Sequence, residues 1–273
     1  MVKESRRVKK IKRMLRKACL PRWLHRFGPK KYEFWQHILA LLIKQECKLS
    51  YRRVCVLLQE LGFEVPSYSA LCKSLKRIPL AIWQALLAVT ASIPRIVALD
   101  GTGMSRSLPS PYYCRRIDKP YPVEVPLKLS IAVDTKTKKI LALRLRAKRA
   151  HDIKDAVYLL KKIPKPIKVV GDSAYDAEWL YEKLWMKGIQ PVVKIRRNAK
   201  WGFYRHKVKK HFKQRTYNRR SMVESVFHST KTKFGPNLKS LRIKAQRAEM
   251  YCRAIAHNTI RALIRHFQHS HNE

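Results

Sequence analysis

The sequence predicts a mixed α/β sheet domain with helices against its faces, preceded by an all-helical region. Three observations carry that expectation. Residues 32–92 place apolar side chains at helical spacing throughout. From residue 96 the pattern changes to short apolar runs, two of them separated by a hairpin-type turn. Those runs then alternate with helical segments, the order that builds a mixed sheet with helices on its faces.

The elements follow in chain order. Residues 3–17 are a dense basic run in which Val8, Ile11, Leu15 and Ala18 recur at helical spacing; a helix lying on a polyanion and a solvated arm are both open. A helix is expected at 34–47. Ser50 is placed to cap the next, whose Val54, Leu57, Leu58 and Leu61 form an i, i+3, i+4, i+7 stripe and which Gly62 ends. Pro66 and Ser67 open a third, with Tyr68, Leu71, Cys72 and Leu75 as its stripe and Lys73, Lys76 and Arg77 on its other faces. Two short helices joined by a tight turn, the second basic, form a helix-turn-helix pattern; a plain helical bundle shares the spacing. A further helix at 80–91 leads to Pro94.

Ile96-Val97-Ala98-Leu99 reads as a buried strand ending at Asp100-Gly101. Residues 102–126, rich in Pro, Ser and Tyr, read as a loop. Strands at 127–133 and 140–145 flank a turn that starts at Asp134. A helix at 152–162 stops at Pro164 and Pro166, and a strand at 167–171 ends in Asp172. Asp176 can cap a helix reaching about 187, and a fifth strand covers 191–195. A basic, aromatic tract at 196–216 precedes helices at 217–232 and 245–267.

Charge narrows the function. Among 273 residues, 61 are Lys or Arg and 18 are Asp or Glu, a formal net charge of +43. A small soluble domain usually sits at a magnitude of about 2–8, and self-repulsion on this scale opposes compaction unless a polyanion relieves it. Hydrophobic residues still make up 46%, which excludes a disordered basic tail. No signal peptide is visible, and the longest apolar run, Ile38 to Ile43, is far short of the roughly 18 residues of a membrane span. The six cysteines show no Cys-x-x-Cys spacing, so buried reduced thiols in a cytoplasmic protein are expected rather than zinc or disulfides. The expectation is a nucleic-acid-binding protein with a basic arm at 1–31, a helical DNA-binding domain at 32–93 and a catalytic domain at 94–273.

The scarce carboxylates point to the chemistry. No acid lies between Glu182 and Glu224, although that interval holds fourteen Lys or Arg. Glu224 therefore stands isolated in a basic stretch, where an i−4 ion pair with Arg220 would also account for it. Asp100 and Asp172 each follow an apolar run; singly, either could be a turn former. If the first and fourth strands are neighbours, both project at one sheet edge, and a later helix carrying Glu224 could complete a three-carboxylate cluster. Such a cluster suits two Mg²⁺ or Mn²⁺ ions. At ~100° per residue, Tyr217, Arg220, Glu224, His228 and Lys231 fall within an arc of about 80°, with Met222, Val223, Val226 and Phe227 across the helix.

Tyr217-x-x-Arg220-x-x-x-Glu224-x-x-x-x-x-x-Lys231 resembles, in every spacing, the Tyr-Arg-Glu-Lys signature of bacterial and archaeal insertion-sequence transposases of the DDE type. Val97-Ala98-Leu99-Asp100-Gly101-Thr102-Gly103 is similar to their first-aspartate segment, and Val170-Gly171-Asp172-Ser173-Ala174-Tyr175-Asp176 to their second. His151-Asp152 also resembles a segment of these enzymes, with helix capping by Asp152 the plainer explanation. The resemblance covers about 94–265 and implies a ribonuclease H-like core. It implies that Asp100, Asp172 and Glu224 bind two catalytic Mg²⁺ or Mn²⁺ ions, and that Tyr217, Arg220 and Lys231 contact the transposon end. It further implies cleavage at terminal inverted repeats, joining of 3′-hydroxyl ends to target DNA, a homodimer on double-stranded DNA, and a prokaryotic, nucleoid-associated protein. A ribonuclease H-like nuclease or resolvase, or a non-catalytic DNA-binding relative, are the alternatives. The tract before Tyr217 is too short for the large β-rich insertion of some relatives. Its Trp201, Phe203, Tyr204 and Phe212, interleaved with Lys200, Arg205, Lys207, Lys209 and Lys210, suit distorted DNA ends or packing on the core.

Overall fold

A computed structural model describes residues 5–25, 27, 30–108, 110–118, 120, 126–148, 150–199 and 201–269, side chains from 261 on excepted. Lys200 lies outside the described residues. The chain begins with five helices: α1 (Arg6–Lys17), α2 (Phe34–Glu46), α3 (Tyr51–Glu60), α4 (Tyr68–Arg77) and α5 (Leu80–Thr90). Then come β1 (Ile96–Arg106), α6 (Pro111–Arg116), β2 (Leu127–Asp134), β3 (Ile140–Arg146), α7 (Ile153–Leu160), β4 (Lys168–Gly171), α8 (Glu178–Met186) and β5 (Gln190–Val193). The remainder is α9 (Phe203–Lys210), α10 (Gln214–Tyr217), α11 (Ser221–Phe234), β6 (Asn237–Leu238) and α12 (Ile243–His269). Two compact units result. One holds the chain through residue 90 with 232–235 and α12; the other holds 91–231 and 236–241.

In the helical unit, α2 is the central element. Its continuous apolar run from Ile38 to Leu42 is fully buried, because α1, α3, α4 and α12 all pack on it. The basic segment expected as a possible arm is the amphipathic α1, which buries Val8, Ile11, Met14 and Leu15 and pairs Arg7 with Glu46. The Ser50 hydroxyl accepts from the Arg53 N–H at 3.2 Å, and the Ser67 hydroxyl from the Ala70 N–H at 3.4 Å, which fixes where α3 and α4 begin. Gly62, at φ +76°, turns the chain out of α3. Leu61 and Tyr68, expected in the apolar stripes, are exposed; the Tyr68 ring instead takes the Arg52 guanidinium at 5.0 Å. The last helix differs from expectation in its allegiance. Instead of completing a domain running 94–273, α12 packs on α2, α4 and α5, burying Ala245, Ala248, Met250, Cys252, Ile255 and Ala256.

In the sheet unit the strand order is β3-β2-β1-β4-β5. β1, β2 and β3 are antiparallel neighbours, whereas β4 and β5 run parallel to β1. This mixed sheet with flanking helices fits a ribonuclease H-like core. Ala156 and Leu159 of α7, Leu180, Tyr181 and Leu184 of α8, and Val208 of α9 join Val97, Leu99, Val169 and Val193 in one apolar cluster. The expected loop at 102–126 is shorter, because β1 continues to Arg106 while β2 pairs with it as far as Met104↔Leu127. Within that interval Ser110 caps α6 by accepting from the Tyr113 N–H at 3.1 Å. Asp176 does not cap α8. Its buried carboxylate accepts instead from Tyr181 Oη, Arg196 N and Arg205 Nε. Cys19 and Cys47, expected to be buried, are exposed free thiols. Among the described residues no helix is long and apolar enough to cross a membrane.

Candidate catalytic site

The ladder between β1 and β4 sets the first two carboxylates. Its pairs are Ile96↔Lys168, Val97↔Val169 and Ala98↔Val170. Continuing that constant offset puts Asp100 level with Asp172, just where β4 ends. Asp100 is thus not at a strand end, as expected, but inside a strand whose parallel neighbour has stopped. The Asp100 carboxylate accepts from the Gly101 N–H at 2.8 Å, and Asp172 Oδ1 from the Ala174 N–H at 3.0 Å.

Glu224 approaches through Arg220. The Arg220 guanidinium donates from one nitrogen to Glu224 Oε1 at 2.6 Å and from the other to Asp100 Oδ2 at 3.3 Å. The Glu224 side chain is 55% exposed and the Asp100 side chain 17%. Lys231 Nζ donates to Thr102 Oγ1 at 2.9 Å, two residues along β1 from Asp100. The polar face of α11 is therefore tied to β1 at two points, while Val223, Val226 and Phe227 are buried. The expected single helix at 217–232 is tightened near its start: a 3-10 turn at Asn218–Arg220 joins α10 to α11 with right-handed helical backbone, and the Ser221 hydroxyl donates to the Asn218 carbonyl at 2.9 Å. Side-chain bonding of this kind competes with the helical ladder. Tyr217 precedes this turn, its ring 5.5 Å from that of Phe212, and it is among the groups that favour the charge of Arg220. His228 is exposed.

The tract before α10 separates the two readings left open. Tyr204 and Val208 join the core cluster, whereas Trp201 and Phe203 are 84% and 75% exposed. In the helical unit, Lys73, Lys76 and Arg77 are exposed on α4.

Sequence reasoning left Lys128 unnoticed and His151-Asp152 without a role. Lys128 Nζ lies 2.7 Å from Asp152 Oδ1. Asp155, a turn further on, is fully buried and bonded to Ser130 and Arg146, with Arg144 beside it at 3.1 Å. Lys128 falls on β2 opposite Gly103, a cross-strand pairing that local pattern does not reveal.

The expected cluster is only partly assembled. Among the described residues no three His, Cys, Asp or Glu side chains converge closely enough to hold a metal ion; Arg220 stands between Asp100 and Glu224. The donor chemistry nonetheless fits a hard divalent cation, which takes carboxylate oxygens. Burial pushes the Asp100 carboxyl up to about 6, and the negative charges of Asp172 and Asp152 add to this against the Gly101 N–H and the Arg220 guanidinium. A carboxylate whose charge is so opposed is one that an added cation would relieve.

This shift has a measurable consequence in metal-free protein. Asp100 holds its proton more tightly folded than unfolded, so stability falls as pH rises from the ordinary 3.8 through about 6. Asp100→Asn is expected to flatten that slope. Thermal midpoints in chelator at pH 5 and pH 8 check it; a variant as pH-dependent as the wild type contradicts it.

Residues 91–259 match the family model described as "Transposase DDE domain". No curated protein matches. Among solved structures, a piggyBac transposase synaptic complex with hairpin DNA is similar at 11% identity and TM-score 0.45, over 93% of this chain and 73% of that one. A pre-cleavage Mos1 transpososome gives 11% and 0.25, over 88% and 80%. A Mos1 paired-end complex with the left transposon end gives 12% and 0.25, over 94% and 89%.

Proposed function

The chain belongs to the family of the transposase DDE domain, and on that premise we propose that it is a DNA transposase that cuts at terminal inverted repeats and joins the freed ends to target DNA. The observation that carries this reading is the β1–β4 register, which sets Asp100 level with Asp172, with Arg220 linking Asp100 to Glu224. Asp100, Asp172 and Glu224 are the residues that hold two Mg²⁺ or Mn²⁺ ions. When bound, such a pair activates the attacking oxygen and stabilises the leaving one.

Two displacements at phosphorus make up the reaction. Water attacks at the transposon end and the bond to the 3′ oxygen breaks, leaving a 3′-hydroxyl on the element and a 5′-phosphate on the flank. That hydroxyl then attacks a phosphorus of the target, and the target's own 3′ oxygen leaves. Neither step forms a covalent bond to protein. Arg220 and Lys231, at either end of the Glu224 face, hold phosphates beside the scissile bond, completing with Tyr217 a Tyr-Arg-Glu-Lys signature. Trp201 stacks on bases of the distorted end. Lys73, Lys76 and Arg77 of a helix-turn-helix contact the repeat. Two ends must be brought together, so the working form is a homodimer on double-stranded DNA in a prokaryotic nucleoid.

The test is to incubate the protein with Mg²⁺ and a labelled duplex carrying the inverted repeat and a target plasmid. Transfer of the labelled 3′ end to the plasmid is expected; cleavage without joining would move the assignment to a nuclease, and binding without cleavage to a non-catalytic relative. The charge gives a second expected result. Affinity for the repeat falls steeply with salt, and Lys76→Ala reduces the log–log slope by about one. A flat salt dependence in filter binding between 50 and 400 mM would mean that the +43 serves another purpose.

A further inference from the structure

Asp152 occupies the N-cap position of α7, where an aspartate ordinarily accepts a backbone N–H from the first turn. Its side chain makes no such bond. The carboxylate is turned instead onto β1, against Gly101, where any side chain would collide with Oδ1. Gly101 therefore provides room for the carboxylate of residue 152 on the face of β1 opposite the Asp100 side chain, one residue along the strand. Lys128 Nζ lies 2.7 Å from Oδ1 and also donates to the Ala150 carbonyl. Among the described residues Lys128 is the cation paired with Asp152, since Arg144 and Arg146 go to Asp155 and Arg220 goes to Asp100 and Glu224. Oδ1 is sealed from solvent and makes no hydrogen bond of good geometry.

We propose that Asp152 is a positioning residue of the catalytic site: its carboxylate, seated on Gly101 across β1 from the Asp100 side chain, adds negative charge to the strand at that point and so draws a divalent cation to Asp100. Lys128 is its resident counter-charge and opposes the same cation. The proposal rests on the reading of Asp100, Asp172 and Glu224 as cation ligands. It accounts for a glycine following Asp100 inside a strand that does not turn there.

The two charges give the test opposite signs. Mn²⁺ is titrated into the DNA-free full chain at fixed ionic strength, and free Mn²⁺ is read by electron paramagnetic resonance. Asp152→Asn, which keeps the shape and removes the charge, is expected to weaken Mn²⁺ binding about 10-fold, the order that one charge several ångströms from a divalent cation contributes in a near-aqueous dielectric, with little change in the thermal midpoint. Lys128→Met is expected to strengthen binding. Gly101→Ala, which displaces the carboxylate without altering any charge, should weaken binding alone but add nothing in the Asp152→Asn background. A change within about twofold for Asp152→Asn, or shifts of the same sign for Asp152→Asn and Lys128→Met, would overturn the proposal. Wild-type Mn²⁺ affinity in Asp100→Asn would instead remove the underlying assignment of the cation ligands.

Discussion

Asp100→Asn and Glu224→Gln should each lower Mg²⁺-dependent cleavage of the transposon end by about a thousandfold or more, since a metal-held transition state is stabilised by several kcal/mol and each 1.36 kcal/mol is tenfold in rate. Both changes preserve side-chain volume, so neither opens a cavity around the mostly buried Asp100 or the exposed Glu224. Arg220 keeps hydrogen-bond acceptors in both variants, so duplex affinity should stay near the wild-type value. That separation is the informative part. An ion-pair role for Glu224 alone predicts a small loss of helix stability, a few tenths of a kcal/mol for an i, i+4 pair, with cleavage intact. Single-turnover cleavage and filter binding on the same variants distinguish the two, with exposed Glu60→Gln on α3 as a control expected to behave as wild type. Cleavage retained within about tenfold in either variant would remove the catalytic assignment.

The sheet was legible because its signals are local. A hairpin turn between two apolar runs, followed by strand–helix alternation, leaves few topologies once connections are short and right-handed. What was not legible depends on pairing at a distance. Asp100 read as the end of a strand because Asp-Gly commonly turns. In the folded chain β2 supplies partners through Met104, and the glycine answers to Asp152 rather than to a turn. The level placement of Asp100 and Asp172 is a property of the β1–β4 register, which no local pattern states. Helical spacing correctly put Arg220, Glu224 and Lys231 on one side. Tyr217, one turn earlier, lies across a 3-10 turn of right-handed helical backbone and remains near enough to Arg220 to favour its charge. The same limit explains α12. Its apolar residues read equally well against a sheet or a bundle, and only the tertiary contacts to α2, α4 and α5 decide.

Those contacts are held by a buried charge, which sets the second large effect. Arg253 on α12 is 1% exposed and pairs at 2.8 Å with Glu249, also 1% exposed, one turn earlier. Its other nitrogens donate to Gly235 O at 2.8 Å and to Gln45 Oε1 of α2 at 3.4 Å. One guanidinium thus joins α12, α2 and the segment after α11 within the helical unit. Arg253→Ala is expected to destabilise that unit by about 3–5 kcal/mol, because it removes the buried cation that pairs with the Glu249 carboxylate. Against a total stability of about 5–15 kcal/mol, such a loss leaves little margin. Urea denaturation followed by circular dichroism measures it. The loss should be similar at 0.1 and 0.5 M salt, since buried pairs are screened far less than surface ones. Arg253→Met combined with Glu249→Leu should recover most of the stability, because apolar replacement of a whole buried pair is often neutral or better. A single-variant loss under about 1 kcal/mol would mean that water reaches the pair. Failure of the double variant to recover would mean that the bonds to Gln45 and Gly235, rather than the loss of the ion pair with Glu249, account for the loss.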